Sequence, residues 1–225
     1  MRAVSIVAAA AVSALGRGLA AQSAAVSGAH VGALAQDPEL AALGIQHALV
    51  GRVRVRLPHP ELDRATRLLL VAAHDLRKDL EARMPDFRGR RVALIIGTTS
   101  GAMQSMESAF AYLSRGESVP RELAKAACYS SPVSYLLEAM GLPDAPSQQV
   151  LAACASSTVA IGLGCRWLEA GHADIVLAGG YDALSAFVAA GFDALGALTR
   201  SQPRPFHPQR DGMALGEGAA LVALA

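Results

Sequence analysis

The sequence predicts an α/β fold in which a mixed, mainly parallel sheet is covered by helices on both faces. Apolar runs of strand length recur at residues 3–8, 92–96 and 174–180, and apolar residues at helical spacing lie between them. Strands that alternate with helices in this way are typical of parallel sheets buried on both sides. The composition agrees with a globular chain, because 52% of the residues are hydrophobic. Only 4% of the residues are aromatic. Ala, Val and Leu must therefore build the core.

The first element has two interpretations. Residues 3–8 read as a buried strand that leads into a glycine-punctuated turn near Gly16. Alternatively, residues 1–15 resemble the charged and apolar regions of a secretory leader, with small residues at 18–24 as a cleavage pattern. We favour the strand, because cleavage at that point would remove a central strand of the predicted sheet.

A helix and a second strand follow. Leu and Ala recur at helical spacing over residues 62–80, with charged residues on the other faces. The strand at 92–96 ends in the Gly/Thr-rich turn 97–101, which leads into a helical stretch through Tyr112. This turn lacks the lysine of a P-loop, so we interpret it as a strand-to-helix connection rather than a phosphate site. The predicted loops are residues 116–120 and 142–146.

A cysteine between the next strand and helix is the strongest candidate for chemistry. The short apolar run 150–153 stops at Cys154, and a Gly/Ala-rich helical stretch follows. Such a turn lifts one side chain out of the backbone at a helix N-terminus, where N–H groups and the dipole favour negative charge. A thiol in that place is expected to ionise readily, and the thiolate is the nucleophile. The alternative is a structural cysteine, since free cysteines are often buried.

Three sequence blocks identify a family resemblance. Residues 151–157 read LAACASS, residues 192–199 read FDALGALT, and residues 205–218 read PFHPQRDGMALGEG. In this order and spacing they closely resemble the N-terminal half of a β-ketoacyl synthase, and the resemblance covers nearly the whole chain. It implies a thiolase-like, layered α/β/α fold. Residues 1–225 would form the N-terminal domain, with the C-terminal half absent from this sequence.

The resemblance also implies a reaction, the decarboxylative Claisen condensation of fatty-acid or polyketide-type synthesis. Cys154 would accept an acyl group from an acyl carrier protein, and a malonyl thioester would lose carbon dioxide and attack the acyl-enzyme. The Cys154 backbone N–H would be one donor to the thioester oxygen. Phe192 matches a family position that lines the acyl pocket, although a single aromatic residue is more often part of the core. The mechanism involves no metal and no cofactor.

The sequence departs from a complete synthase in its histidines. The family's two catalytic histidines and a supporting lysine lie in the C-terminal half, and none of the six histidines here matches them. His207 stands where the family signature has aspartate, and we do not expect it to act as the catalytic base. A second interpretation stays open, a non-catalytic partner subunit like a chain-length factor, although such subunits usually lack the cysteine. A third, an exported binding protein, depends on the leader interpretation.

The net charge and the cysteine content limit which binding partners and which cellular compartment are expected. A formal net charge of +1 does not suggest the basic face that nucleic-acid binding needs. The sequence contains no unbroken run of eighteen apolar residues, so it predicts no membrane span. Three cysteines at spacings that fit no metal site favour the reducing cytoplasm. A group of arginines could receive an acidic carrier protein or form a solvated edge; these are Arg52, Arg54, Arg56, Arg64 and Arg67.

Two further expectations concern assembly and the signature. In the family, the strand before the nucleophile pairs with its copy, so the resemblance implies a homodimer, or a heterodimer with a synthase-like subunit, across residues 148–152. Within the signature, Arg210 and Asp211 are expected to pair. Glu217 is expected to stabilise a turn rather than contact substrate, because buried carboxylates are usually hydrogen-bonded.

Overall fold

The computed structural model describes residues 3–27 and 33–225. Met1, Arg2 and His30, which include the charged start of the leader interpretation, lie outside the described residues. The strands are β1 Ile6–Ser13, β2 Gly16–Arg17, β3 Ala35–Gln36, β4 Leu49–Gly51, β5 Val92–Gly97, β6 Ser147–Val150, β7 Ile175–Asp182, β8 Leu215–Gly216 and β9 Gly218–Leu224. The α-helices are α1 Leu19–Val26, α2 Pro38–Ala42, α3 Arg64–Arg83, α4 Met103–Ser114, α5 Arg121–Ala126, α6 Ser131–Met140, α7 Ser156–Glu169 and α8 Ala186–Ala194.

The central sheet is mixed, as expected, and four of its six strands within the described residues run in one direction, namely β1, β5, β6 and β7. Its strand order is β2-β1-β9-β7-β5-β6. Among the strand pairs of the described residues in this sheet, β5–β6 and β5–β7 are parallel, whereas β1–β2, β1–β9 and β7–β9 are antiparallel. The sequence did not indicate that β9 lies between β1 and β7 and runs in the opposite direction to both. Antiparallel neighbours need no crossover helix, and no helix lies between the end of α8 at Ala194 and the start of β9 at Gly218.

Helices cover the sheet on two faces and so form the expected layers. One face packs against α3 and α6, whose buried side chains include Leu68, Leu76 and Leu136. The other face packs against α7 through Ala160 and Leu168. The predicted helix at 62–80 is α3, and Asp63 caps it by accepting a hydrogen bond of 2.8 Å from the Ala65 N–H.

The N-terminal residues belong to the central sheet. Strand β1 lies between β2 and β9, and Ala8, Ala10 and Val12 on one of its faces are buried. The strand interpretation is therefore confirmed for Ile6–Ser13, although it begins and ends later than the predicted residues 3–8.

A smaller sheet stands beside the central one. Its order is β3-β4-β8, and it encloses a third apolar cluster with α2 and α8. The N-terminus of α2 is fixed by Asp37, which accepts hydrogen bonds from the N–H groups of Glu39 and Leu40. Because β8 immediately precedes β9, the segment that ends the sequence signature joins the two sheets.

Candidate active site

Cys154 lies on the predicted strand-to-helix turn. Strand β6 ends at Val150, a single 3-10 turn spans Ala153–Ala155, and α7 begins at Ser156. Cys154 is exposed at the middle of this turn. The preceding Ala153 has a left-handed φ of 48°, a strained conformation for a residue with a Cβ. The backbone is thus bent sharply at the point where the thiol projects.

A buried hydroxyl closes this turn. Ser156 accepts a hydrogen bond of 2.8 Å from the Ala152 N–H through its Oγ, and the same Oγ donates one of 2.6 Å to the Ala153 carbonyl. Ser156 is only 3% exposed. Its side chain therefore joins the two residues that precede Cys154 to the first residue of α7, and helps to hold the strained φ.

Two glycines let the N-terminus of α7 rest directly on the sheet. A Cβ on Gly97, at the end of β5, would lie 2.3 Å from the Ser156 carbonyl carbon. A Cβ on Gly180, in β7, would lie 2.7 Å from the Ser157 Cβ. Neither approach is possible with a larger residue, so both glycines are required by the seating of the Cys154 turn.

The neighbouring turn, between β5 and α4, is held by one carboxylate. Asp182 accepts hydrogen bonds from the N–H groups of Thr99 and Ser100 at 2.9–3.1 Å. It also accepts from the hydroxyls of Thr98 at 3.0 Å and Ser100 at 2.9 Å. The Thr99 hydroxyl in turn donates to the Ala153 carbonyl at 3.3 Å, so Asp182 supports the Cys154 turn through a single intervening residue.

Two tyrosines reinforce this support. The Tyr129 hydroxyl donates a hydrogen bond of 2.6 Å to the Thr99 carbonyl. Gln149 in β6 donates through Nε2 to the Tyr129 carbonyl at 3.2 Å and to the Tyr181 hydroxyl at 3.4 Å. Burial, followed by the charge of Asp182, raises the pKa of both tyrosine hydroxyls. They therefore remain neutral hydrogen-bonding groups at physiological pH.

Cys154 borders a cavity of about 430 Å³. Most of the cavity wall is backbone or small side chains from the ends of β1, β5, β7 and β9, and Ile161 of α7 is one of its larger apolar residues. Thr98, Ser156 and Ser157 also line it. A wall of this kind leaves room for an acyl chain beside the thiol.

The other predicted site residues lie elsewhere. Phe192 of α8 is partly buried against the third apolar cluster and does not line the cavity at Cys154. His207 is exposed, and its Nδ1 accepts a hydrogen bond of 3.0 Å from the Gln209 N–H within the same loop. Neither contributes to the cavity in the part of the chain that the structure describes. A contact between Phe192 and substrate stays a prediction.

The signature carboxylates have structural partners. Glu217 is 5% exposed and accepts from the Val53 N–H at 2.8 Å, the Leu184 N–H at 3.3 Å and the Arg64 guanidinium. The expectation that Glu217 is buried and hydrogen-bonded is confirmed, but its partners are remote segments rather than its own turn. Its hydrogen bond raises the pKa of Arg64 despite the opposing effect of burial. The expected Arg210–Asp211 pair is wrong, because Asp211 accepts from the Thr199 hydroxyl at 2.7 Å. That bond holds the pKa of Asp211 below its usual range.

The arginines that were predicted to contact a carrier protein fall into two sets, those bonded within the protein and those exposed to solvent. Arg52 pairs with Asp37 and Glu39, and Arg64 pairs with Glu217. Arg67 donates to the backbone carbonyls of Leu57 at 3.0 Å and Pro58 at 2.8 Å. These three side chains hold the chain together, so Arg54 and Arg56 are the exposed members of the group.

Comparison with known proteins identifies relatives of this chain. The profile of the β-ketoacyl synthase N-terminal domain matches residues 54–225. The ketoacyl synthase α subunit of the tetracenomycin polyketide synthase from Streptomyces glaucescens is 33% identical over 176 residues, covering 72% of this chain and 41% of that protein. The 3-oxoacyl-[acyl-carrier-protein] synthase 2 of Staphylococcus aureus (strain N315) is 31% identical over 182 residues, with the same two coverages, 72% and 41%.

Solved structures define the class of fold. The ishigamide ketosynthase/chain length factor superposes with a TM-score of 0.89 at 24% identity, covering 98% of this chain and 57% of that one. The chain therefore has the thiolase-like fold of the ketosynthases. With the profile match, it belongs to the β-ketoacyl synthase family. It spans about two fifths of the length of the curated relatives named here. No helix in the described ranges is long and apolar enough to cross a membrane.

Proposed function

We propose that Cys154 is the acyl-accepting nucleophile of a decarboxylative Claisen condensation. The observation that carries the proposal is the exposed thiol on a closed, strained turn beside a cavity of about 430 Å³. The Cys154 thiolate attacks the carbonyl carbon of an acyl thioester, a new C–S bond forms and the C–S bond to the carrier breaks. The carrier leaves as a thiolate and takes up the proton that Cys154 lost on ionisation. The Cys154 N–H, at the start of the helical turn, donates to the oxyanion.

The second half of the reaction regenerates the thiolate. A malonyl thioester loses carbon dioxide, and the electron pair of the broken C–C bond becomes an enolate. Its α-carbon attacks the acyl-cysteine carbonyl, a C–C bond forms and the C–S bond to Cys154 breaks. The enolate needs hydrogen-bond donors, which the family resemblance assigns to two histidines in the C-terminal half. No metal or cofactor takes part.

Acyl carrier protein is the proposed partner. The name of the Staphylococcus aureus relative specifies 3-oxoacyl-[acyl-carrier-protein] as its product, and the Streptomyces glaucescens relative is a subunit of a polyketide synthase. Exposed Arg54 and Arg56 supply positive charge for an acidic carrier. We place the reaction in the cytoplasm, where a nucleophilic thiol stays reduced.

Strand β6 supports an isologous dimer, with a homodimer or a synthase-like second subunit as the arrangement. β6 is at the edge of the central sheet within the described residues, and Gln148 and Leu151 are exposed beside it. An edge strand presents unpaired N–H and C=O groups, which its own copy can satisfy across a two-fold axis. A Gln148→Cys variant should form an intermolecular disulfide, whereas Ser134→Cys on the exposed face of α6 should not. Equal cross-linking of both would refute this interface.

The chemical proposal is tested by following acyl transfer and condensation separately. With acyl carrier protein bearing an acyl group, intact-mass analysis should show one acyl adduct, located on Cys154. With malonyl carrier protein as well, the 225 residues alone should form no β-ketoacyl product, and adding the C-terminal half should restore turnover. An adduct on another residue would remove the nucleophile assignment. No adduct at all would favour the non-catalytic partner subunit.

His207 provides a further control. If the isolated 225 residues condense efficiently and His207→Ala abolishes that activity, the histidine is a catalytic base and our assignment is wrong. We expect His207→Ala to leave acylation of Cys154 unchanged, because its Nδ1 is engaged within its own loop.

A further inference from the structure

A second cavity, lined by residues of α3, β2 and the segment 56–59, contains several positively charged side chains. Its volume is about 540 Å³, and none of its lining residues borders the Cys154 cavity. Its floor is apolar, and no Asp or Glu among the described residues lines it. The cationic and imidazole side chains that do line it are Arg17, Arg56, His59, His74 and Arg77.

Two of these arginines are held in place by hydrogen bonds to other residues of the protein. Arg17 of β2 donates to the two Asp75 carboxylate oxygens at 2.8 and 2.5 Å. Arg77 of α3 donates through one Nη to the Ala139 carbonyl at 2.8 Å, and its Nε lies 4.0 Å from Glu81. Each bond fixes the plane of a guanidinium while leaving further N–H donors unused. The arginines are thus oriented before a ligand arrives.

The third arginine lies on a segment that is itself fixed. Arg56 is exposed and has no ion pair among the described residues. Three residues later, His59 has a left-handed φ of 53°, and its carbonyl accepts from the Leu62 N–H at 3.0 Å. Arg67 bonds the two carbonyls between them. Strained backbone held by surrounding bonds is more common at functional sites than elsewhere, and Ala153 beside Cys154 shows the same feature.

The neighbouring carboxylates do not cancel this charge. Asp75 is paired with Arg17, and Glu61 lies 3.2 Å from the His59 ring. Glu81 is shared between Arg77 and Arg88. Glu81 can balance the charge of only one of its two arginines, and none of these carboxylates is paired with Arg56. Two positive charges are therefore left over, and the imidazoles of His59 and His74 lie in the same cavity. A multiply charged anion is the complementary ligand.

We propose that this cavity binds an organic diphosphate, whose diphosphate group contacts Arg17, Arg56 and Arg77 while its organic part lies on Pro58, Leu70 and Val71. Guanidinium groups match phosphate oxygens in geometry and bind them through paired N–H donors. The apolar floor gives the remainder of the ligand a surface to pack on. The site is separate from Cys154 and does not depend on the function proposed for that residue.

The test is calorimetric titration of the protein with inorganic pyrophosphate, with orthophosphate as the comparison. Pyrophosphate should bind saturably and at least about tenfold more tightly, because it can reach more than one arginine at once. Arg56→Ala should weaken binding about tenfold or more, while Arg54→Ala, an exposed arginine outside the cavity, should change it less than about twofold. Cys154→Ala should bind pyrophosphate like the unaltered protein.

Three results would overturn the proposal. They are non-saturable binding of pyrophosphate, equal affinities for pyrophosphate and orthophosphate, and equal losses in Arg54→Ala and Arg56→Ala. Arg77→Ala provides a second variant in case Arg56→Ala folds poorly, and it should weaken pyrophosphate binding by a similar factor. A result that affects acylation of Cys154 but not pyrophosphate binding would bear on the condensation alone.

Discussion

The two turns at the carboxyl ends of β5 and β6 are neighbours, and each connects a strand to a helix. Different hydrogen bonds hold them in place. Both follow parallel strands and both lead into a helix. In the first, the donors of Thr98, Thr99 and Ser100 converge on the carboxylate of Asp182. In the second, one hydroxyl, that of Ser156, closes the turn, and the Cys154 side chain is exposed.

This difference indicates that the first turn supports the site, whereas the second turn carries the reactive thiol. The first turn buries two of its three polar side chains, since Thr98 is 1% and Ser100 is 3% exposed. It reaches the second turn through the Thr99 hydroxyl and the Ala153 carbonyl. A reactive group is positioned accurately when the residues around it are locked by packing and hydrogen bonds. The Asp182 turn therefore acts as the rigid reference against which the thiol is held.

The largest expected effect tests which turn carries the reaction. Cys154→Ala should lower acyl transfer by at least about a thousandfold, because it removes the nucleophile itself. Asp182→Asn should retain measurable transfer. Mass analysis of acylated protein measures both, and a Cys154→Ala protein that still forms the acyl adduct would contradict the assignment.

Cys128 is the necessary control for thiol labelling. It is exposed, and hydrogen bonds from the Ser130 hydroxyl and N–H lower its pKa, so a larger fraction is thiolate at neutral pH than in an ordinary cysteine. We still expect a cerulenin-type inhibitor to modify Cys154 in preference to Cys128 and Cys165. Iodoacetamide labelling should be compared in a Cys128→Ser background, where equal modification of Cys154 and Cys165 would argue against a specially placed thiol.

The backbone contact between the two turns depends on Gly97 at the end of β5. Gly97→Ala should destabilise the fold by about 3 kcal/mol, because its Cβ would meet the backbone of Ser156 at 2.3 Å and α7 would have to move. Gly162→Ala on the exposed face of α7 is the matched control. No atom lies within 4 Å of its added Cβ, so it should be neutral or stabilising by up to about 1 kcal/mol. Urea unfolding measures both, and similar stabilities would remove the argument for close seating.

Asp182 itself can be tested by loss of charge without loss of shape. Asp182→Asn should lower the free energy of unfolding by about 1–3 kcal/mol, since it removes the charge that strengthens the hydrogen bonds to Oδ1 and replaces Oδ2, which accepts from the Thr99 N–H, with an amide donor. Thr99→Val separates support from stability. It removes the hydroxyl that reaches Ala153 and should slow acylation of Cys154 while changing stability by less than about 1 kcal/mol. Unchanged acylation in Thr99→Val would mean that the first turn does not position the thiol.

The sequence predicted the exposed cysteine on its turn because local patterns determine it. A strand, small residues and a helix in succession need no long-range partner to be recognised. Asp182 was missed because its role depends on residues 82–84 positions away, which only the parallel pairing of β5 with β7 brings together. The direction of β9 was missed for a related reason, since an irregular segment does not indicate which way the next strand will run. Glu217 was identified correctly because a carboxylate between glycines before an apolar strand is expected to be buried and bonded.

A smaller effect is expected for the hydroxyl that closes the second turn. Ser156→Ala should cost about 1 kcal/mol in stability, because the Ala152 N–H loses its acceptor and the Ala153 carbonyl loses a donor. It should also broaden the positions that Cys154 samples and so slow acylation. Ser157→Ala, one residue later on α7, is the control and should change both measurements less. A larger effect from Ser157→Ala would show that the second turn is closed by packing on Gly180 instead.

The smallest effect lies far from both turns, at the Arg17–Asp75 pair that joins β2 to α3. The hydrogen bond from Arg17 holds the pKa of Asp75 below its usual value, although partial burial opposes this. A carboxyl whose pKa is lower in the folded state contributes stability above its unfolded pKa of about 3.9, and loses it as pH falls through the folded pKa. Because both side chains are partly exposed, at 44% and 26%, the contribution should not exceed about 1 kcal/mol. Asp75→Asn should therefore be slightly less stable than the unaltered protein at pH 7, and the difference should vanish progressively below about pH 4. Salt should reduce it as well. A difference that persists unchanged at pH 2 would show that Asp75 acts by packing rather than by charge, and Arg17 would then be oriented in the basic cavity by something other than this pair.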